Sequence, residues 1–158
     1  MKASIQAGLN FGLTSGVITT LGLMVGLHSG THSTLAVIGG ILTIAIGDSM
    51  SDALGMHISK EAENVYSDKQ LWMATLATLV SKFIMAATFI VPVLVFELGL
   101  AIVISIVWGL SVLTGLSIFL ARAQETRVIK VVGEHLAIAL AVICLTHYAG
   151  VWVAAMFM

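Results

Sequence analysis

Asp48, Asp52 and Met56 stand four residues apart in an otherwise apolar stretch. At about 100° per residue that spacing sets them along one slowly drifting stripe of a helix. Two carboxylates and a thioether on one face, with Met50, Ser51, His57 and Ser59 beside them, supply hard oxygen donors together with softer nitrogen and sulfur. The mixture suits a borderline first-row divalent ion such as Fe2+ or Mn2+ better than Mg2+ or Ca2+. A plainer account fits the same residues: carboxylates held by helix-to-helix hydrogen bonds or by a lysine, and methionines that only pack.

The elements that must position these side chains follow from composition. The chain of 158 residues is 59% hydrophobic and 9% charged, with a mean hydropathy of +1.08. That charged share is far below the quarter expected of a water-soluble domain, so the sequence reads as an all-α integral membrane protein in a lipid bilayer. The length holds several spans of roughly 20 residues and no soluble catalytic domain. Apolar runs predict five transmembrane helices, over 5–27, 34–58, 71–91, 98–121 and 131–153, in a single domain covering 1–158. The first run has no basic region beyond Lys2 and no small-residue cleavage site, so it reads as a retained span. Lys2, Lys60, Lys69, Arg122, Arg127 and Lys130 all fall on one side of these spans. The positive-inside rule then puts the N-terminus in the cytoplasm and the C-terminus outside.

The seventh basic residue, Lys82, lies inside the third span, where a charge costs about 2.5–3.5 kcal/mol and needs a partner. Counting along the second and third helices at 1.5 Å per residue brings Asp48 to a similar depth. A Lys82–Asp48 ion pair, coupled to proton movement, leaves Asp52 as the freer carboxylate. Asn10 and Thr14 of the first helix come out near Asp52 and offer neutral oxygens, although an interhelical hydrogen bond or a helix-start position is the better account of Asn10 taken alone.

Other candidates sit nearer the ends. His28, His32 and Glu97 mark an outer mouth; Glu61, Glu63 and Glu134 mark an inner one, and all of them are also ordinary solvated loop or helix-end residues. His147, Tyr148 and Trp152 fit an outer interfacial belt, and Trp72 an inner one. Cys144, the single cysteine, reads as a reduced packing residue. Two ridges of small residues, Gly8, Gly12 and Gly16 in the first helix and Gly39, Thr43, Gly47, Ser51, Gly55 and Ser59 in the second, allow close helix approach. The first is a candidate dimer interface, and packing within one protomer explains it as well.

Taken in order, these segments resemble the vacuolar iron transporter family. Asn10-Phe11-Gly12, then Gly16 and the run from Leu21 to Leu27, is similar to the family's Asn-Asp-Gly opening and its glycine-rich continuation. Ser51-Asp52-Ala53-Leu54-Gly55-Met56-His57-Ile58-Ser59 is similar to its Ser-Met-Ala-x-Gly-Glu-Tyr-x-Ser stretch. The resemblance implies a five-helix homodimer that exchanges Fe2+ or Mn2+ for protons. Phe11 stands where the family has an acid, the Met and Glu positions of the second motif read Asp52 and Met56, and residues 59–70 replace a longer glutamate-rich insert. The expected function is proton-coupled transport of a divalent metal as substrate, with no resident cofactor and no nucleic-acid partner. The short termini point to a prokaryotic plasma membrane over an organellar one. The competing expectation is a membrane interaction or assembly protein that kept the fold without transport. An enzyme is not expected, because no HExxH, GxSxG or other nucleophile-base arrangement occurs.

Overall fold

The computed structural model describes residues 2–157, and among them there is helix and turn but no strand. Five helices are long and apolar enough to cross a membrane: α1 (Lys2–Thr31), α2 (Thr34–Ala62), α3 (Asp68–Val95), α4 (Leu98–Ala123) and α5 (Val128–Phe157). They outrun the hydropathy-based spans at most ends, because helical hydrogen bonding continues into polar sequence. α2 runs on through Ser59 and Lys60, and Lys60 Nζ, 2.8 Å from Glu63 Oε1, ties its end to the turn. Pro92, just past the expected third span of 71–91, interrupts the helix without ending it. Pro92 has no N–H to give the carbonyl of Thr88, so the helix breaks at Phe89 and resumes over Ile90–Val95.

The connections are tight. His32, Asn64 and Glu125 reverse the chain after α1, α2 and α4 with φ of 49°, 53° and 53°. The N–H of His32 closes the last turn of α1 on the carbonyl of His28 at 3.0 Å. Ser33 starts α2 as its N-cap, its Oγ accepting the N–H of Ala36 at 3.2 Å and so satisfying one otherwise orphaned donor.

α1 is the central helix and packs along most of its length against α3 and α5. Glycine sets both contacts. A Cβ at Gly8 would run into the carbonyl oxygen of Ala74, and one at Gly12 into Ser81 Oγ and, at 2.6 Å, the carbonyl oxygen of Thr78. Further along, Gly26 and Gly30 lie against Gly150 of α5. The expected dimer ridge Gly8, Gly12 and Gly16 is therefore used inside the protomer: it lets α1 meet α3 backbone to backbone and leaves no room for a second copy. Beyond it, Val17, Leu21 and Met24 of α1 join Ile41, Met85, Phe89 and Leu113 in the buried core.

α2 keeps one buried face from Val37 to Ala53. Val37, Ile41, Ala45, Ser49 and Ala53 are all buried at four-residue spacing. In a straight α-helix each such step overshoots a full turn by about 40°, which would carry the stripe well off the core over four steps. The turn over Ile44–Asp48 is instead π-helical and takes in one extra residue, removing about 100° of that drift.

Gly8→Ala is expected to lower the thermal unfolding midpoint in detergent by an amount matching about 1–3 kcal/mol of overpacking. Gly133→Ala, where the added Cβ meets nothing within 4 Å, should be neutral or slightly stabilising. Equal midpoints for the two variants would show that α1 and α3 are not held at glycine contact.

Candidate functional site

Lys82 is the largest side chain that is wholly buried, with 0% exposure. Its ammonium lies between two carboxylates of α2: Nζ is 2.5 Å from Asp48 Oδ2 and 2.5 Å from Asp52 Oδ2. The two oxygens are thus no farther apart than twice that distance. α1 adds Ser15, whose Oγ accepts from Lys82 Nζ at 2.9 Å and donates to Asp52 Oδ2 at 2.6 Å. Three helices meet at this point, and with both carboxylates ionised and the lysine protonated the cluster keeps one negative charge in excess.

The helices explain the convergence. Asp48 closes the π-helical turn and Asp52 lies in the first turn of the α-helix that follows, so the two stay on one face beside the buried Ser49 and Ala53. Gly12 and Gly16 bring α1 onto α3 at Ser81, Lys82 and Met85, which carries Ser15 to the ammonium.

Asp48 does meet Lys82, as the depth count anticipates, but Asp52 is not the freer acid. Asp52 accepts from both Lys82 and Ser15 and its side chain is 21% exposed, whereas Asp48 is 34% exposed and its Oδ2 makes a Coulombic contact without the alignment of a hydrogen bond. Both helices run past their apolar limits by nearly the same length, to Ala62 and back to Asp68, so Lys82 stays level with Asp48; its long, flexible stem also reaches Asp52, one turn away.

The softer donors lie elsewhere. Met50 is 62% exposed on the flank of α2 that faces Val80 and Phe83 of α3. His57 shares a hydrogen bond of 2.9 Å between Nδ1 and Thr75 Oγ1 and packs on Trp72 at 4.9 Å between ring centroids. Met56 is half-buried one turn beyond Asp52, and Asn10 is half-buried with no side-chain hydrogen bond. Among the described residues no three His, Cys, Asp or Glu side chains converge closely enough to hold a metal ion. The inner-mouth acids are dispersed at the surface: Glu63 pairs with Lys60, Glu134 lies 3.9 Å from Lys130, and Glu61 is exposed. At the far end Glu97 is the exposed N-cap of α4, apart from the histidines.

Sequence inspection missed Ser15. A lone hydroxyl in a membrane-like helix is unremarkable by type, and its one signal is position, a single turn from Gly12 and beside Gly16 on the close-packed side of α1. His147, expected in an outer interfacial belt, is tied to Ser29 of α1, to which its Nδ1 is hydrogen-bonded at 2.7 Å. Comparison with protein-family models, with curated proteins and with solved structures returns no match.

Removing the lysine leaves two carboxylates facing each other across a buried gap. Lys82→Met is expected to cost about 3–5 kcal/mol, read as a fall in the unfolding midpoint. Adding Asp52→Asn should recover more of that loss than adding Asp48→Asn, since Asp52 is the more enclosed acid. Strictly additive losses in both double variants would mean that the three side chains do not interact.

Proposed function

We propose that the chain is a multi-pass membrane protein that moves a divalent transition metal, Fe2+ or Mn2+, across the bilayer in exchange for protons. One observation carries this proposal: an ammonium, fully enclosed, held between two carboxylates in helices long and apolar enough to cross a membrane. An ionisable residue at that depth is expensive, and a cluster of three marks an ion or proton path by default. The resemblance to vacuolar iron transporters and the collection of basic residues at one end, which orients the N-terminus to the cytoplasm, support it.

In this mechanism Lys82 is the resident cation that the transported metal replaces. A divalent ion bound by Asp48 and Asp52, with Ser15 Oγ as a neutral donor, leaves a net charge of +1 while Lys82 is protonated and of zero once Nζ gives up its proton. The low dielectric favours the neutral state, so metal entry expels a proton and metal release lets Lys82 take one back. Metal and proton thereby compete for the same pair of carboxylates.

The dimer included in this proposal would form through α2. Its ridge of Gly39, Thr43, Gly47, Ser51, Gly55 and Ser59 is exposed, and an added Cβ at Gly39, Gly47 or Gly55 meets nothing within 4 Å. A second copy over this face would also cover the third of Asp48 that would otherwise meet lipid. A second reading, an assembly protein without transport, is favoured by one fact: Lys82 already fills the place where a metal would sit, with no third acid or imidazole nearby.

Flux into proteoliposomes that enclose a pH-sensitive dye separates the two readings. Wild type should move Fe2+ or Mn2+ with opposite proton movement, and Asp52→Asn should lose both by at least about tenfold. Lys82→Arg keeps the charge but holds its proton permanently, so it should fold yet transport nothing. Wild-type rates in a folded Asp52→Asn preparation would overturn this mechanism, and the absence of any flux in wild type would leave the assembly role.

A further inference from the structure

At the end of the bundle opposite the basic turns, α1, α4 and α5 border a cleft of about 440 Å3 lined by His28, Ser29, His32, Cys144, His147 and Tyr148. The imidazoles come from α1, the turn that follows it and α5, and the glycine contact of Gly26 and Gly30 with Gly150 is what brings them together. His28 lies in the last turn of α1 and His32 in the reversal just beyond it, and their rings meet edge to face with centroids 5.3 Å apart. Across the cleft, His147 is fixed by Ser29 at 2.7 Å through Nδ1. With the proton on Nδ1, that bond leaves the Nε2 lone pair free, the arrangement in which a hydrogen-bonded histidine ligates a metal.

One group in the cleft is unsatisfied. His28 Nδ1 is shielded from solvent and has no hydrogen-bond partner, a state that costs about 1–3 kcal/mol. No Lys or Arg lines the cleft to repel a cation or to occupy its place, in contrast to the centre at Lys82.

We infer that His28, His32 and His147 form a second site, one for a divalent ion that prefers imidazole, such as Zn2+, Co2+ or Cu2+. Neutral imidazole is the common donor for this class, and three of them complete the protein's share of a four-coordinate centre. In their present positions the rings stand too far apart to hold an ion together. Binding therefore includes movement of the exposed His32 ring, in the turn after α1, toward the half-buried His28 and the His147 ring held by Ser29. This site stands independently of transport through Asp48 and Asp52.

Co2+ titration of the purified full-length protein in detergent, followed by visible absorption, tests it on a Cys144→Ser background so that the single thiol contributes nothing. The expected result is a stoichiometric tetrahedral Co2+ spectrum whose affinity falls at least about tenfold in His28→Gln and in His147→Gln. Ser29→Ala, which removes only the partner of His147, should weaken binding while leaving the spectrum tetrahedral. Gly133→Ala, outside both centres, should bind Co2+ with the same tetrahedral spectrum and affinity. His32→Gln, at an exposed position, serves where substitution of His28 prevents folding. A tetrahedral spectrum and affinity unchanged in His32→Gln and His147→Gln would overturn the inference.

Discussion

A charged ammonium with no contact to solvent is the constraint on which the rest of this bundle depends. Breaking a buried ion pair by removing one partner costs about 3–5 kcal/mol, a large part of the net stability of an ordinary domain. Lys82 reaches the interior only because two carboxylates and a hydroxyl meet it there, and each comes from a backbone held close to α3. The glycines of α1 are part of the same requirement. With a side chain at Gly12, α1 would stand off from Ser81 and Lys82, and Ser15 would lose its place against the ammonium.

The π-helical turn of α2 belongs to that requirement too. An apolar helix in contact with its neighbours along its full length must return the same face to the core, and a four-residue repeat fails to do so without correction. The correction is placed immediately before the acids: Ile44–Asp48 resets the phase, Ser49 and Ala53 remain buried, and Asp48 and Asp52 emerge together on the flank that meets Lys82. Widened turns of this kind recur at functional positions because they reorient a side chain without breaking the helix. Here the reorientation also leaves the glycine-rich back of α2 uncovered within the protomer.

Much of this was legible in the sequence, for identifiable reasons. Five apolar runs separated by polar turns predict five long helices, because composition alone forces the spacing. The partnership of Lys82 with Asp48 follows from counting turns, since helical rise is uniform. What the count missed was local: the extra residue in the π-helical turn has no sequence signature, and a depth count cannot show that one lysine stem reaches both acids. Gly8, Gly12 and Gly16 announce a close contact but not its partner, because a small-residue ridge fits its own bundle and a second copy equally well. His147 is legible as a helix-end residue and nothing more until the contact between Gly26 and Gly150 places α5 beside α1.

The donors that actually surround Lys82 change what selectivity has to rest on. From the sequence, Met50, His57 and Met56 bring soft character to a mixed ligand set, and softness would favour Fe2+ over Mn2+. In the folded chain Met50 faces outward and His57 is engaged with Thr75 and Trp72, so the groups that meet the ammonium are the oxygens of Asp48, Asp52 and Ser15. For the proposed exchange, charge and size must then do what softness does not. A monovalent ion in place of the lysine's proton leaves the pair of carboxylates one charge short of neutrality, while a divalent ion beside a neutral amine balances them. In the proposed exchange the lysine's proton and a divalent cargo would be alternative occupants of one electrostatic well, so that the carboxylates are never left without a cation.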